Sequence, residues 1–317
     1  MKKLLHIVFL FLAGNVFPQV SVFNQYNAAL SSLNPAYIMG ADKDHIGMIF
    51  RNQWPGHRLG SVHWQVDANT YLPRLSSGIG LLYSHAGNIQ GGFSETVYSL
   101  QLSYRVIMFD DHFLCLSGSL NYQKTEADIN NFHYQFDTRS DYTILPEVIA
   151  GKTSLTGSFG ILFQETTNKF YGGISLRDVN FTDLSYEADN YILKAPVLSV
   201  QGMGRIPLSR SKTLFLFGCF EQSGKISYSA ATGPLQLKPV TASLFFQTNI
   251  FIDRKHTLGI GYKYFFGNYG SLNYRYGYMF GKHKKIGVGY SYDVKPYIQF
   301  DKLHFWSSHE LYCKWTF

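Results

Sequence analysis

The chain has 317 residues, of which 45% are hydrophobic, 17% aromatic and only 15% charged. Its formal net charge is +7, but the basic residues are dispersed between aromatic ones in no run of five or more, so we expect no nucleic-acid partner. Cys115, Cys219 and Cys313 show no C-x-x-C spacing. The sequence therefore predicts no disulfide framework, no metal site and no bound cofactor.

The first 19 residues have the pattern of an export signal. Lys2 and Lys3 precede an apolar stretch over residues 4–12, interrupted only by His6, and small residues follow. This stretch is too short to anchor a chain in a bilayer, so we predict a cleaved signal peptide over residues 1–19. We predict a periplasmic or lumenal arm over residues 20–44 and a single domain over residues 45–317.

From residue 45 onward, large apolar or aromatic residues alternate with polar or small ones, as in residues 98–105, 272–280 and 286–293. Because strand side chains point alternately to opposite faces, this pattern predicts strands with one apolar face. Most segments have ten residues or more, which suits tilted membrane strands of about 9–11 residues better than soluble strands of about 5–6. Fourteen strands are predicted: 45–54, 60–70, 77–86, 94–107, 112–123, 154–163, 168–177, 197–206, 213–223, 239–252, 256–266, 270–280, 284–293 and 308–317.

The links between these strands alternate in length. The even-numbered links are all short, and the odd-numbered ones include the four long candidates for external loops: 124–153, 178–196, 224–238 and 294–307. Together with the even strand number, this predicts an all-β fold, a transmembrane antiparallel β-barrel with short periplasmic turns and longer external loops. Leu311, Cys313, Trp315 and Phe317 form an apolar face that resembles the assembly signal of bacterial outer-membrane barrels. We expect the protein in the outer membrane of a Gram-negative bacterium.

The polar positions of the alternating segments predict residues that line the lumen: His63, Gln65, Asp67, Arg105 and Arg275. A hydrolase could use a His–Asp pair, but His63 and Asp67 lie four residues apart on one strand, about 13 Å, which is too far for direct coupling. Pro146 stands where a phosphate-binding loop ending at Gly151 would need glycine, and the sequence has no G-x-S-x-G motif. We therefore interpret the polar row as hydrated lining and predict that the chain is not an enzyme.

Two phrases near the start of the barrel carry a family resemblance. The first is Asn24-Gln25-Tyr26-Asn27 with Leu33-Asn34-Pro35-Ala36-Tyr37 and Gly40, and the second is Phe50-Arg51-Asn52-Gln53-Trp54-Pro55-Gly56. Residues 289–293 and 308–310 match weakly at the other end, whereas residues 124–153 show no matching phrase. The chain resembles the PorP/SprF family of the type IX secretion system.

This resemblance implies an outer-membrane barrel of a Bacteroidota-type bacterium that works with other type IX secretion components and outer-membrane lipid. The expected partner is a secreted protein with a C-terminal sorting domain, such as a cell-surface adhesin, exported or held at the surface, including in gliding motility. The alternative functions are a small-molecule channel or transporter, since a fourteen-strand barrel is wide enough to hold a cavity, and an outer-membrane lipid hydrolase.

The matched phrases supply the candidates for partner binding: Asn34, Pro35, Tyr37, Arg51, Gln53 and Trp54. Proline pushes the residue before it towards extended conformations, so Asn34-Pro35 should restrict the backbone of the arm before the first strand. Arg51 and Gln53 share one face of the first strand by alternation. Two interpretations remain open for this pair: they line a site for the partner, or they fix the N-terminal arm inside the barrel.

Overall fold

The computed structural model describes residues 23, 25, 28–40, 44–56, 60–88, 93–109, 111–127, 149–165, 167, 169–179, 190–194, 196–229, 233–253, 255–265, 270–281, 285–299 and 302–317. The predicted signal peptide and most of the link 124–153 lie outside these residues. The strands are β1 (His45–Gln53), β2 (Ser61–Leu72), β3 (Ser77–Asn88), β4 (Phe93–Phe109), β5 (His112–Ala127), β6 (Ile149–Glu165), β7 (Phe170–Val179), β8 (Asn190–Lys194), β9 (Val197–Pro207), β10 (Lys212–Ser229), β11 (Gly233–Ile252), β12 (His256–Phe265), β13 (Ser271–Phe280), β14 (Ile286–Gln299) and β15 (Lys302–Thr316).

The sheet closes on itself. Consecutive strands pair antiparallel along the wall, β10 pairs with β11, and β1 pairs with both β2 and β15. The short β8 pairs with the outer part of β10 and β9 with its inner part, so β8 continues β9 along the same neighbour. The wall is thus a closed barrel of fourteen strands, as the sequence predicted. Closure gives every wall strand two neighbours, which a bilayer requires because hydrocarbon offers the backbone no hydrogen-bonding partner.

The two faces of the wall are the reverse of those in a water-soluble protein. Along β4, the outward Tyr98, Leu100 and Leu102 are each about half exposed, whereas the inward Ser99 and Gln101 are buried. A ladder of outward aromatic rings, joined at centroid distances of 4.7, 4.9 and 6.3 Å, crosses four strands through Trp64, Tyr83, Tyr98 and Tyr122. An apolar exterior with an aromatic girdle is the surface of a barrel that faces lipid. Among the described residues, no helix is both long and apolar enough to cross a membrane.

The two ends of the barrel differ as the link lengths predicted. At one end, the short-turn end, the connections are at most five residues long, as in the turn that contains the 3₁₀ helix Pro73–Leu75. His45 and Thr316 pair at the same end. The opposite end, the outer end, carries the three longest connections, which follow β1, β5 and β7. Short turns on the periplasmic side and longer connections outside are typical of bacterial outer-membrane barrels.

Two of the predicted external loops are wrong. The link 224–238 is largely strand, because β10 continues to Ser229 and β11 begins at Gly233, with register shifts near Ser223 and Ser227. The link 294–307 is likewise a hairpin of β14 and β15 that turns after Gln299. Backbone pairing does not require apolar side chains, so these strands continue where the lipid-facing alternation that reveals a strand in the sequence has ended.

Because the exterior is apolar, we predict that a charge introduced on it destabilises the barrel by an amount that depends on its position along the barrel axis. Leu116 lies on β5 between the short-turn end and the aromatic ring of Tyr122, Leu208 lies in the short turn after β9, and both are exposed. Arginine at the bilayer midplane costs about 2–4 kcal/mol, but about 0–1 kcal/mol near the interface. Urea titration of the barrel folded into lipid vesicles should therefore show a much larger loss of stability for Leu116→Arg than for Leu208→Arg. Equal losses would contradict the placement of the membrane.

Candidate functional site in the barrel lumen

The described part of the N-terminal arm lies inside the barrel. Two single-turn helices, α1 (Leu30–Leu33) and α2 (Tyr37–Gly40), flank Asn34 and Pro35. Asn34 has φ −152° and ψ 114°, the extended conformation that the following proline favours. Every residue from Leu33 to Met39 is buried. Isolated helices this short are unstable in water, so the arm depends on the wall for its conformation.

Part of this support is apolar. Leu33, Ala36, Tyr37 and Met39 form one buried cluster with inward side chains of the wall. The wall contributes Cys115, Leu162, Tyr171, Met203, Phe217, Cys219 and Phe245 to this cluster. Inward apolar residues would face water in an open lumen, where their exposure is unfavourable. The arm covers them, which explains why an otherwise polar lumen carries an apolar patch.

The wall also satisfies the carbonyl groups of the arm. A one-turn helix leaves most of its carbonyls without an intrahelical donor, and such groups are costly to bury unpaired. Four inward side chains donate hydrogen bonds to them: Gln101 to Ser31 (3.2 Å), Arg177 to Ser32 (3.1 Å), Ser175 to Leu33 (2.6 Å) and Arg105 to Met39 (2.5 Å). The donors come from β4 and β7, so the arm is fixed to two separated parts of the wall.

Asn34 contacts the backbone of two neighbouring strands of the wall, β6 and β7. Its Nδ2 lies 3.2 Å from the carbonyl oxygen of Ile161 and 3.3 Å from that of Ile174, and its Oδ1 accepts a hydrogen bond from the backbone of Ala36. A Cβ atom on Gly160 would lie only 2.0 Å from Asn34 Oδ1, and one on Gly173 would lie 3.0 Å from Nδ2. The two glycines therefore form the space into which the asparagine fits.

A buried ion cluster holds the start of the arm at the β1–β15 seam. Arg51 donates to Asp293 at 2.9 Å and to Glu310 at 3.2 Å. Glu310 also accepts the backbone N–H of Gln25 at 2.7 Å, and its own carbonyl accepts from the Gln25 side chain. The guanidinium thus bridges two strands while one of its carboxylate partners binds the arm.

The residues of this cluster come from all the sequence segments that carry the family resemblance. Gln25 belongs to the first phrase, Arg51 to the second, and Asp293 and Glu310 to the weak matches at the other end. Sequence reasoning did not assign Asp293 or Glu310 to the site. Glu310 could have been found by assuming that the barrel closes, because β1 then pairs with β15 and Arg51 lies directly opposite Glu310.

The six candidates for partner binding fall into two groups. Asn34, Pro35, Tyr37 and Arg51 are buried within the lumen. Gln53 is half-buried and faces a cavity, and Trp54 follows β1 with a φ of 54° and a backbone hydrogen bond to Ser307. For Arg51, this geometry favours the second interpretation, in which the residue fixes the arm inside the barrel.

The five lumen candidates all face inward. Gln65, Asp67 and Arg275 are buried, and the guanidinium groups of Arg105 and Arg275 lie over aromatic rings of the wall. The partner of Asp67 lies on another strand and could not be read from β2 alone, whereas that of His63 lies on β2 itself. Asp67 Oδ2 lies 3.0 Å from His45 Nε2 on β1, and His63 contacts Ser61 at 2.7 Å.

The arm borders two cavities. The larger has a volume of about 490 Å³, lies towards the outer end, and is bounded by Ser31, Ser32 and Pro35 of the arm. The smaller has a volume of about 120 Å³ and is bounded by Tyr37 and, near the short-turn end, by His45 and Lys314. The arm therefore occupies the middle of the lumen, and the larger of these two cavities lies on its outer side.

The closed wall, lipid-facing exterior and polar lumen define an outer-membrane β-barrel. Similar solved structures include the CymD monoaromatic hydrocarbon channel (TM-score 0.57, 11% identity, covering 93% of this chain and 94% of that one). A Pseudomonas aeruginosa FadL homologue is also similar (TM-score 0.55, 10% identity, 91% and 94% covered). The Pseudomonas putida toluene transporter TodX is a third (TM-score 0.54, 11% identity, 93% and 94% covered). At these identities, the similarity shows the fold alone.

The family follows from the sequence. The family model of the type IX secretion system membrane protein PorP/SprF matches residues 15–315, and the chain belongs to this family. A comparison with curated proteins finds no match. The fold and the family together place the protein in the outer membrane of a Gram-negative bacterium.

The ion cluster predicts a large and specific loss of stability. Arg51→Met leaves Asp293 and Glu310 buried without their cation, which typically costs about 3–5 kcal/mol. Urea titration in lipid vesicles should show this loss. The triple variant Arg51→Met, Asp293→Asn, Glu310→Gln should recover a substantial part of it because no buried charge remains. A change below about 1 kcal/mol for Arg51→Met would contradict the assigned role.

The glycine contact predicts that one methyl group displaces the arm. Gly160→Ala should increase proteolytic cleavage of the arm in the folded, detergent-solubilised barrel, because the new Cβ overlaps Asn34. Gly118→Ala is the matched control, since the nearest atom to its Cβ would lie 3.8 Å away. Adding Gly160→Ala to Asn34→Ala should have little further effect. If the arm of Gly160→Ala is cleaved no faster than in the control, the contact does not fix the arm.

Proposed function

We propose that this barrel is a non-enzymatic docking component of the type IX secretion system. It binds a secreted protein with a C-terminal sorting domain, such as an adhesin used in gliding motility, and supports its export or its attachment at the cell surface. Family membership supports an association with type IX secretion components. The arm inside the lumen is the observation that favours docking over conduction.

A solute path through the barrel would have to pass this arm. The arm fills the mid-lumen with buried side chains from Leu33 to Met39, and its contacts are distributed over β4, β6, β7 and β15. Displacing it would expose the apolar cluster and break several hydrogen bonds at once. A lumen held in this way suits a rigid docking platform better than an open conduit.

The outer end offers a surface on which a protein can dock. The β10 strand has 18 residues and β11 has 20. At about 3.3 Å per residue and a tilt of about 40°, 18 residues rise roughly 45 Å along the barrel axis, whereas the apolar band of such a barrel is about 25 Å tall. The hairpin therefore projects well beyond the membrane, and the hairpin of β14 and β15 extends the same rim. Such a rim can contact a large partner without any passage through the lumen.

The second candidate function is a small-molecule channel or transporter. It is favoured by the structures to which the barrel is similar, two of which are described as a monoaromatic hydrocarbon channel and a toluene transporter. The two functions make opposite predictions for purified protein in planar lipid bilayers. Docking predicts no steady ion conductance while the arm is in place, and a channel predicts conductance.

The docking function predicts loss of the partner when an outer hairpin is shortened. Residues 296–305 can be replaced by Asn-Gly, because Lys295 and Trp306 are paired and a two-residue turn can join them. A tagged copy expressed in the native bacterium should capture a secreted protein with a C-terminal sorting domain from outer-membrane extract. We expect the shortened variant to recover at least about tenfold less of this partner, which corresponds to 1.4 kcal/mol of binding free energy.

Two controls make this result interpretable. The shortened variant must reach the outer membrane at the level of the parent chain and show the same heat-dependent migration in gels, which reports an assembled barrel. Leu208→Ser, at the short-turn end, should capture the partner normally. Steady conductance by the parent chain, with no secreted protein captured, would overturn the docking function in favour of the channel.

A further inference from the structure

The outer cavity is a formed compartment with its own lining. Its volume of about 490 Å³ lies within the usual range of ligand sites, about 300–1,000 Å³. Gln53, Ser61 and Asn88, at the outer ends of β1, β2 and β3, line its upper part, and Ser31, Ser32 and Pro35 of the arm form its floor. A ligand can therefore enter only as far as the arm.

Apolar residues such as Leu82 and Val97 contribute to the lining, but hydroxyl and amide side chains form its largest group. These include Gln65, Ser84, Ser99, Gln101, Asn121 and Ser158. Hydroxyl and amide groups can both donate and accept hydrogen bonds. Several charged side chains of the lining are engaged by other residues: Arg51 by Asp293 and Glu310, Arg177 by Glu221, and Glu95 by Gln123. The cavity thus offers hydrogen bonds more than unpaired charge.

This chemistry argues against an apolar ligand. A hydrocarbon would leave lining groups such as Gln65 Nε2, which has no hydrogen-bond partner among the described residues, without one, and each uncompensated group costs about 1–3 kcal/mol. The hydrocarbon named for two of the similar structures is therefore a poor match for this cavity. A polar, mostly uncharged ligand fits the lining.

Two buried side-chain nitrogen atoms of the wall can also form hydrogen bonds with a ligand. Gln65 Nε2 and His63 Nδ1 have no hydrogen-bond partner among the described residues, and both residues line the cavity. They are two positions apart on β2, so their spacing along the strand is about 6.6 Å. An extended polypeptide has the same two-residue repeat, with a donor and an acceptor on each residue.

We propose that the outer cavity binds an extended segment of the secreted partner that is rich in polar, uncharged residues. This inference rests on the proposed docking function and adds to it a defined site. The segment enters from the outer end, forms hydrogen bonds with the amide and hydroxyl side chains of β2 to β6, and ends against Ser31 and Ser32. The arm is then both the floor of the site and the barrier that prevents passage across the membrane.

Site-specific photocrosslinking in the native bacterium tests this proposal. p-Benzoylphenylalanine is placed at Ser84, which lines the cavity, at Leu81, which lies on the same strand and faces lipid, and at Pro55, which is exposed at the outer rim. We expect Ser84 to crosslink to the secreted protein, with the adduct mapping by mass spectrometry to one contiguous segment of low charge. Leu81 should give no such adduct.

A cavity-filling substitution provides a second measurement. Ser84→Trp should lower recovery of the secreted protein at least about tenfold, whereas Leu81→Trp should leave it unchanged; barrel assembly is checked by heat-dependent migration. Adducts from Pro55 alone, with normal recovery by Ser84→Trp, would overturn the cavity site and leave the docking function intact. An adduct at Ser84 with a glycan or another non-protein molecule would also overturn it. Failure to recover a secreted protein in any form would remove the docking function itself.

Discussion

The structure depends on one constraint: a backbone in hydrocarbon must find all its hydrogen bonds within the protein. Pairing of β1 with β15 meets this requirement by closing the wall. The same seam places Arg51 opposite Glu310 and beside Asp293, so closure also assembles the cluster that binds Gln25 of the arm. Closure of the wall and retention of the arm are therefore coupled through one set of side chains.

Closure encloses a lumen lined largely by polar side chains, and the arm occupies its middle. Wall donors satisfy the carbonyls of two single-turn helices, and the arm in return covers an apolar patch that water would otherwise contact. Without the arm, the apolar patch of the wall would face water, and without the wall, the carbonyl groups of the arm would lack these donors. The arm is consequently part of the interior, so a fold shared with hydrocarbon channels has an occupied lumen in this chain.

Much of the fold could be predicted from the sequence because every second side chain of a membrane-spanning strand faces lipid and is therefore apolar. All fourteen wall strands could be predicted from that alternation. The outer parts of β10, β11, β14 and β15 could not, because they lie beyond the membrane, where outward side chains need not be apolar. The site was harder to predict. Asn34 and Arg51 came from the family resemblance, whereas the glycines that receive Asn34 and the carboxylates that hold Arg51 depend on strand register. The pairing of Asp67 with His45 required the same information.

Hydrogen exchange of the arm in the folded barrel tests the central claim, that the arm is a permanent part of the barrel interior. The measurement follows the backbone amides of residues 32–39 in lipid nanodiscs, with the paired amides of β6 as an internal reference. A permanently docked arm should exchange as slowly as β6, within about tenfold, because both would exchange only when the barrel opens. Exchange of the arm within seconds while β6 remains protected would show a detachable arm and contradict this description of the lumen.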